Sequence, residues 1–219
     1  MNTGPPQGTP HIDSALHMAA PWSSPAVSRS IPFRSVRAMP STSPGAGVRG
    51  IDHVGVTVPD LEAATAFFIE ALGAEVLYDS LAKGQPPQEG EDLQRRLRFL
   101  PGSSIRAMRL LRLGNGPSLE LFEYAAPEQR PPARPNDLGI QHLAVYVDDM
   151  DTALARFQAA GGEVFSSPHE LPALEKGPGN AFCYARAPWG TIIEFITYPS
   201  PQPYEKQTAL RRWKPPERD

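Results

Sequence analysis

Four side chains stand out for chemistry they could share. His53 and His142 lie 89 positions apart, each inside one copy of a pattern: GIDHVGVTVPDLEAA at 50–64 and GIQHLAVYVDDMDTA at 139–153. Glu120 and Glu194 each interrupt a short apolar run, LEL at 119–121 and IEF at 193–195. A carboxylate among apolar neighbours is costly unless it has a partner. Two imidazoles and two carboxylates form a donor set suited to a borderline divalent metal: Zn, Ni, Co, Fe or Mn. A single strand histidine, or a single mid-strand glutamate, is more readily structural. Four of them at equivalent places in two copies of one pattern argue for a shared site.

The elements that must position these residues follow from periodicity. Residues 51–58 and 140–147 alternate as strands with one face covered. On the first, Ile51, His53, Gly55 and Thr57 share a face, and Val54, Val56 and Val58 take the other. On the second, Ile140, His142, Ala144 and Tyr146 oppose Leu143, Val145 and Val147. A helix follows each strand, with Asp60 and Asp149 at N-cap positions and Glu62 and Asp151 in the first turns. The expected buried stripes are Leu61, Ala64, Phe68 and Leu72, then Met150, Ala153, Phe157 and Ala160. Gly73, and Gly161 or Gly162, end the helices. Residues 105–113 and 118–124 read as a hairpin across GNGP, and 180–187 and 191–198 as another across PWG. Residues 79–104 read as a loop with one short helix near 91–99.

This gives an α+β chain in which β-α-β-β-β occurs twice. Each helix covers one face of a curved sheet and leaves the other as an open cup. His53, Glu120, His142 and Glu194 face the cup. Phe122, Tyr124 and Tyr146 share its faces and make it partly aromatic. Glu123, on the face opposite Glu120, reads as a rim or solvent residue. Arg106, Arg109 and Arg112 could meet an anionic substrate, although such arginines more often line a solvated edge. His169, in the loop SSPHELPALEKGPG, is a candidate for substrate contact.

The organisation is a leader at 1–49, a first module at 50–126, a linker at 127–138, a second module at 139–198 and a tail at 199–219. The leader is rich in Pro and Ser and carries Arg29, Arg34, Arg37 and Arg49. It reads either as a disordered leader, with the start codon assigned upstream of the true one, or as an organelle transit peptide; its prolines oppose an amphipathic helix. The Pro-rich tail is expected to wrap the surface, with Tyr204 and Trp213 as anchors. The net charge of -3 argues against nucleic acid or an anionic membrane as the main partner. No apolar run approaches the roughly 18 residues of a membrane span. Cys183 is the lone cysteine, so no internal disulfide forms, which suits the cytoplasm.

These motifs resemble the vicinal oxygen chelate superfamily, which includes glyoxalase I, methylmalonyl-CoA epimerase, extradiol dioxygenases, fosfomycin resistance enzymes and bleomycin resistance proteins. The resemblance runs from about Arg49 to Tyr198 and rests on GIDHVGVTVPDLEAA, SLELFEY, GIQHLAVYVDDMDTA and APWGTIIEFITY. It implies paired βαβββ modules around one divalent metal, ligated by His53, Glu120, His142 and Glu194, within one chain or across a homodimer. It further implies a lyase, isomerase or epimerase acting on a small metal-chelating carbonyl substrate through an enolate or enediolate. Glu194 or Glu120 would be the base. Thr57 replaces an arginine of the glutathione-dependent bacterial glyoxalases, and APWG replaces the usual DPxG turn; both point away from glutathione. The rival readings are an Fe(II) extradiol-type dioxygenase using His53, His142 and Glu194, and a non-enzymatic protein that sequesters a small molecule.

Overall fold

A computed structural model describes Met1 and residues 48–216. The readings of the leader fall almost wholly outside these residues, as do the last three positions of the tail.

The first helix, α1 (Leu61–Leu72), starts where its capping chemistry places it. The Asp60 side chain accepts a hydrogen bond from the Ala63 amide at 2.8 Å, which satisfies one free N–H of the first turn. Gly73, at φ 68, closes the helix in the left-handed conformation that glycine adopts without strain. Leu61, Ala64, Phe67, Phe68 and Ala71 face inward; Leu72, expected among them, is only half-buried. Helix α3 (Met150–Ala159) repeats the start, with Asp149 accepting from the Thr152 amide at 3.0 Å. Its buried stripe is Met150, Leu154 and Phe157. Leu154 takes the place expected of Ala153, because the helix rolls to bury its larger side chain.

The first sheet has the order β1 (His53–Val58), β4 (Ser118–Ala125), β3 (Ser104–Arg112), β2 (Glu75–Leu81). β1 runs parallel to β4, and the other neighbours are antiparallel. The second sheet repeats this order with β5 (Leu143–Tyr146), β9 (Ile192–Thr197), β8 (Ala181–Arg186) and β6 (Glu163–Val164). Here too the first strand is parallel to the last. The short β7 (His169–Glu170) also pairs with β8, so the second strand of this module is broken in two. Pro168 stands at the break and has no N–H to donate to a ladder.

Both first strands are shorter than their alternation predicts. β5 begins at Leu143, opposite Ile193 of β9, which itself starts at Ile192 just past the Gly190 turn. His142 precedes the strand, and Ile51 and Ile140 are exposed. β2 extends to Leu81, into the stretch expected to open a loop, and α2 (Glu91–Leu97) forms within the expected helical segment.

The two modules share one core. α1 packs against α3, and the helix-covered faces of both sheets contribute to a single cluster that includes Phe68, Leu121, Phe157 and Phe195. Phe67 meets Phe157 edge to face at 5.1 Å, and Trp189 meets Phe67 at 5.2 Å. Gly162 is required here: a Cβ at this position would lie 2.2 Å from the Phe157 ring. Among the described residues no helix is long and apolar enough to cross a membrane.

Candidate metal centre

Each module brings its own histidine and glutamate together on the open face. In the first, β1 and β4 lie in a parallel register that sets Gly55 beside Glu120. Across this register His53 Nε2 lies 3.2 Å from Glu120 Oε2, and the space beside Gly55 is filled by the Phe122 ring. In the second, Ala144 pairs with Glu194, and His142 Nε2 lies 2.9 Å from Glu194 Oε2. The other ring nitrogen is also held in both. His53 Nδ1 is 2.8 Å from Asp52 Oδ2, and His142 Nδ1 is 3.1 Å from Gln141 Oε1. The hydrogen bond to Asp52, opposed by burial and helped by the charge of Glu120, raises the His53 pKa above the ordinary imidazole value.

The expected four-residue cluster does not form within one chain. Among the described residues, no group of three or more His, Cys, Asp or Glu side chains is close enough to hold one metal ion. The cause is the shared core. The helix-covered faces of both sheets are spent on each other, so the faces bearing the two His–Glu pairs lie outside it. The result is two half-sites. The donors fit a borderline divalent ion, since each half offers an imidazole Nε2 and a carboxylate oxygen that already face each other.

The walls of the halves are aromatic, as expected in part. Phe122 stacks on Tyr124 with ring centres 5.7 Å apart, and Phe99 meets Tyr124 at 6.0 Å. Tyr146 meets Tyr198 edge to face at 4.9 Å. Two wall residues were not anticipated. Tyr184 pairs with Glu194 across β8 and β9, with its ring 5.2 Å from His142, and Phe182 pairs with Ile196. Counting back from the PWG turn through the hairpin would have placed both on this face. His169 stands at the far end of the row, 5.8 Å from Phe182, which is 5.7 Å from Tyr184. Its Nε2 is 3.0 Å from the Ser166 hydroxyl.

Two expectations need correction, and Arg112 follows the plainer reading of a solvated edge. Glu123 is buried, not a rim residue. It accepts from the Leu61 amide at 2.8 Å and pairs with Lys83 at 3.1 Å, so it caps α1 from across the core. Arg109 is a structural clamp, bonded to Asp79, Glu62 and the Thr65 hydroxyl, which ties β3 to β2 and α1. Arg112 is taken by Glu75 on the neighbouring strand. The third arginine, Arg106, is exposed and falls at the β-bulge between Ile105 and Ala107, out of the ladder that carries Glu120 and Phe122.

The tail closes one end of the second half. Leu171, Ile196 and Tyr198 form a small buried cluster with Tyr146 and Phe182 against it. The Tyr198 hydroxyl donates to the Trp213 carbonyl, the Tyr204 hydroxyl accepts from the Arg212 amide, and the Arg212 guanidinium lies over the Tyr198 ring. Tyr204 and Trp213 thus anchor the tail, although Trp213 does so through its backbone.

The chain is similar to known proteins. The profile of the glyoxalase/bleomycin resistance protein/dioxygenase superfamily matches residues 52–184. A 2-epi-5-epi-valiolone epimerase from Actinomyces sp. is 37% identical over 178 residues, covering 78% of this chain and 93% of that protein. An ethylmalonyl-CoA/methylmalonyl-CoA epimerase from Cereibacter sphaeroides is 32% identical over 117 residues, covering 53% of this chain and 75% of that protein. A glyoxalase family protein from Bacillus cereus shares the fold, with a TM-score of 0.55 at 20% identity over 71% of this chain and 98% of its own. The profile match, the Actinomyces relative and the doubled module agree: the chain belongs to the glyoxalase/bleomycin resistance protein/dioxygenase superfamily.

Proposed function

We propose that this protein is a divalent-metal-dependent epimerase that inverts a carbon beside the carbonyl of a small uncharged substrate. The observation that carries this reading is the recurrence of one His–Glu pair, at matching register, on the open face of each module. Two relatives named as epimerases support it over a dioxygenase or a sequestering protein. The Actinomyces relative's name gives a valiolone, by its ending a ketone.

His53, Glu120, His142 and Glu194 are the donors for the ion. Because the two pairs occupy separate faces of one chain, we assign the full set to a homodimer: His53 and Glu120 of one copy, His142 and Glu194 of the other. The exposed Ile51 and Ile140, each just before its histidine, give that contact apolar surface. A bound divalent ion supplies Lewis acidity toward a chelating carbonyl. The residues then divide the remaining work. A carboxylate oxygen of Glu194 or Glu120 takes the proton from carbon, and a glutamate returns it to the opposite face. Tyr124 and Tyr184 keep their hydroxyl protons at neutral pH, because burial first and the adjacent glutamate second push them up. They therefore donate hydrogen bonds to substrate oxygens, while Phe122, Tyr146 and Phe182 exclude water. Arg112 and Arg186 at the sheet edges are already bound to Glu75 and Glu163. The walls thus offer hydroxyls and rings more than cations, which favours a neutral hydroxylated ring over an anion.

The test couples metal analysis and light scattering to NMR detection of substrate C–H exchange in deuterated water, with cyclic hydroxyketones and acyl-CoA thioesters. Bound metal, a dimer and exchange with the ketones are expected. Metal retained by the Glu120→Gln/Glu194→Gln double variant would sink the site. Full metal content in a monomer would sink the two-copy arrangement, and exchange confined to the thioesters would sink the substrate class.

A further inference from the structure

The residue before each ligand histidine repeats a role that the motif itself does not announce. Asp52 and Gln141 are equivalent positions of the doubled pattern, and each offers an oxygen to the Nδ1 of the histidine that follows. An imidazole can bind a metal through either nitrogen, and the hydrogen bond at one nitrogen decides which lone pair is free. With Nδ1–H donating to Asp52 or Gln141, the free lone pair is on Nε2, the atom that faces the glutamate in both halves. The two acceptors differ in charge. A carboxylate acceptor makes its imidazole a stronger donor than a neutral amide does.

We propose that Asp52 and Gln141 are positioning residues that fix His53 and His142 as Nε2 ligands, and that the Asp52 carboxylate makes the first half the tighter-binding half. This rests on the metal-site reading above. The side chain of Asp52 is 93% exposed, so it contributes no packing, and its backbone carbonyl, which accepts from the Ser118 amide, survives substitution. A loss of metal affinity on changing Asp52 is therefore separable from a loss of fold.

The experiment measures Zn2+ and Co2+ affinity of the full chain by competition with a chromophoric chelator, at a pH of about 8.5, above the usual imidazole range. Asp52→Ala lowers affinity by about 10- to 100-fold with an unchanged apo melting curve. Asp52→Glu restores part of the loss, Gln141→Ala costs less than Asp52→Ala, and Gln141→Glu raises affinity above the parent protein. Affinity of Asp52→Ala within about twofold of the parent, where Glu120→Gln is clearly impaired, overturns this inference and leaves the site standing. Absence of metal binding by the parent protein overturns both.

Discussion

The first and second modules share a strand order, a capped helix, a His–Glu pair and an edge ion pair, yet they treat the second strand and the open face differently. Arg112–Glu75 and Arg186–Glu163 tie the third strand to the second in each module. The first module keeps a seven-residue β2 with bulges and leaves the His53 side chain 43% exposed. The second breaks that strand at Pro168, and Leu171 and the tail close one end of its half-site; His142 is 23% exposed. The lesson is that the repeat preserves the strand order and the His–Glu pair. Variation gathers in the second strand and around the open face.

If the halves are equivalent in chemistry, Glu120→Gln and Glu194→Gln each slow substrate C–H exchange by about 10²- to 10⁴-fold, the usual worth of a positioned acid–base group. A strong loss in one variant alone, measured by NMR in deuterated water, would break the symmetry and name the single base. Next in size is the shared core. Phe157→Ala removes a ring that touches both modules and costs about 3–5 kcal/mol in denaturant unfolding. One cooperative transition is expected; a first module that melts unchanged would show two independent cores.

A smaller effect separates the modules by pH. The Arg109 guanidinium bonds Asp79 and holds its carboxyl below the ordinary value. Its contribution is thus present above the unfolded value of about 4 and is lost as pH falls through the lower folded value. Asp79→Asn costs roughly 1.5 kcal/mol at neutral pH and flattens the loss of stability below pH 4. In the second module the edge pair is Arg186–Glu163, which Asp79 does not touch, so its hydrogen exchange should move little. The smallest change is Tyr198→Phe, which removes the donor to Trp213 and costs about 0.5–1.5 kcal/mol. Faster amide exchange confined to the tail and the second half-site is the expected outcome; spread into β1 would contradict the local role.

Much of the site was legible in the sequence because period-two geometry and a doubled motif are local facts. His53, Gly55 and Thr57 do share the open face, Val56 and Val58 are buried opposite, and Glu120 and Glu194 stand beside their histidines. Glu123 shows where that reasoning ends. Alternation assigned its face correctly, but whether that face meets solvent or the free amides of α1 depends on helix placement, which no local pattern encodes. Arg109 failed in the same way, since Asp79 and Glu62 reach it only through the fold.

The sequence by itself determined which face of each sheet carries the two histidines and two glutamates and where the helices start. Those outcomes depend on chirality, pleat and capping, all set within a few residues. The tertiary structure alone decided that these four side chains stand as two pairs. Burying α1 against α3 in one apolar core removes apolar surface from water, and that packing leaves the His–Glu pairs outside the core.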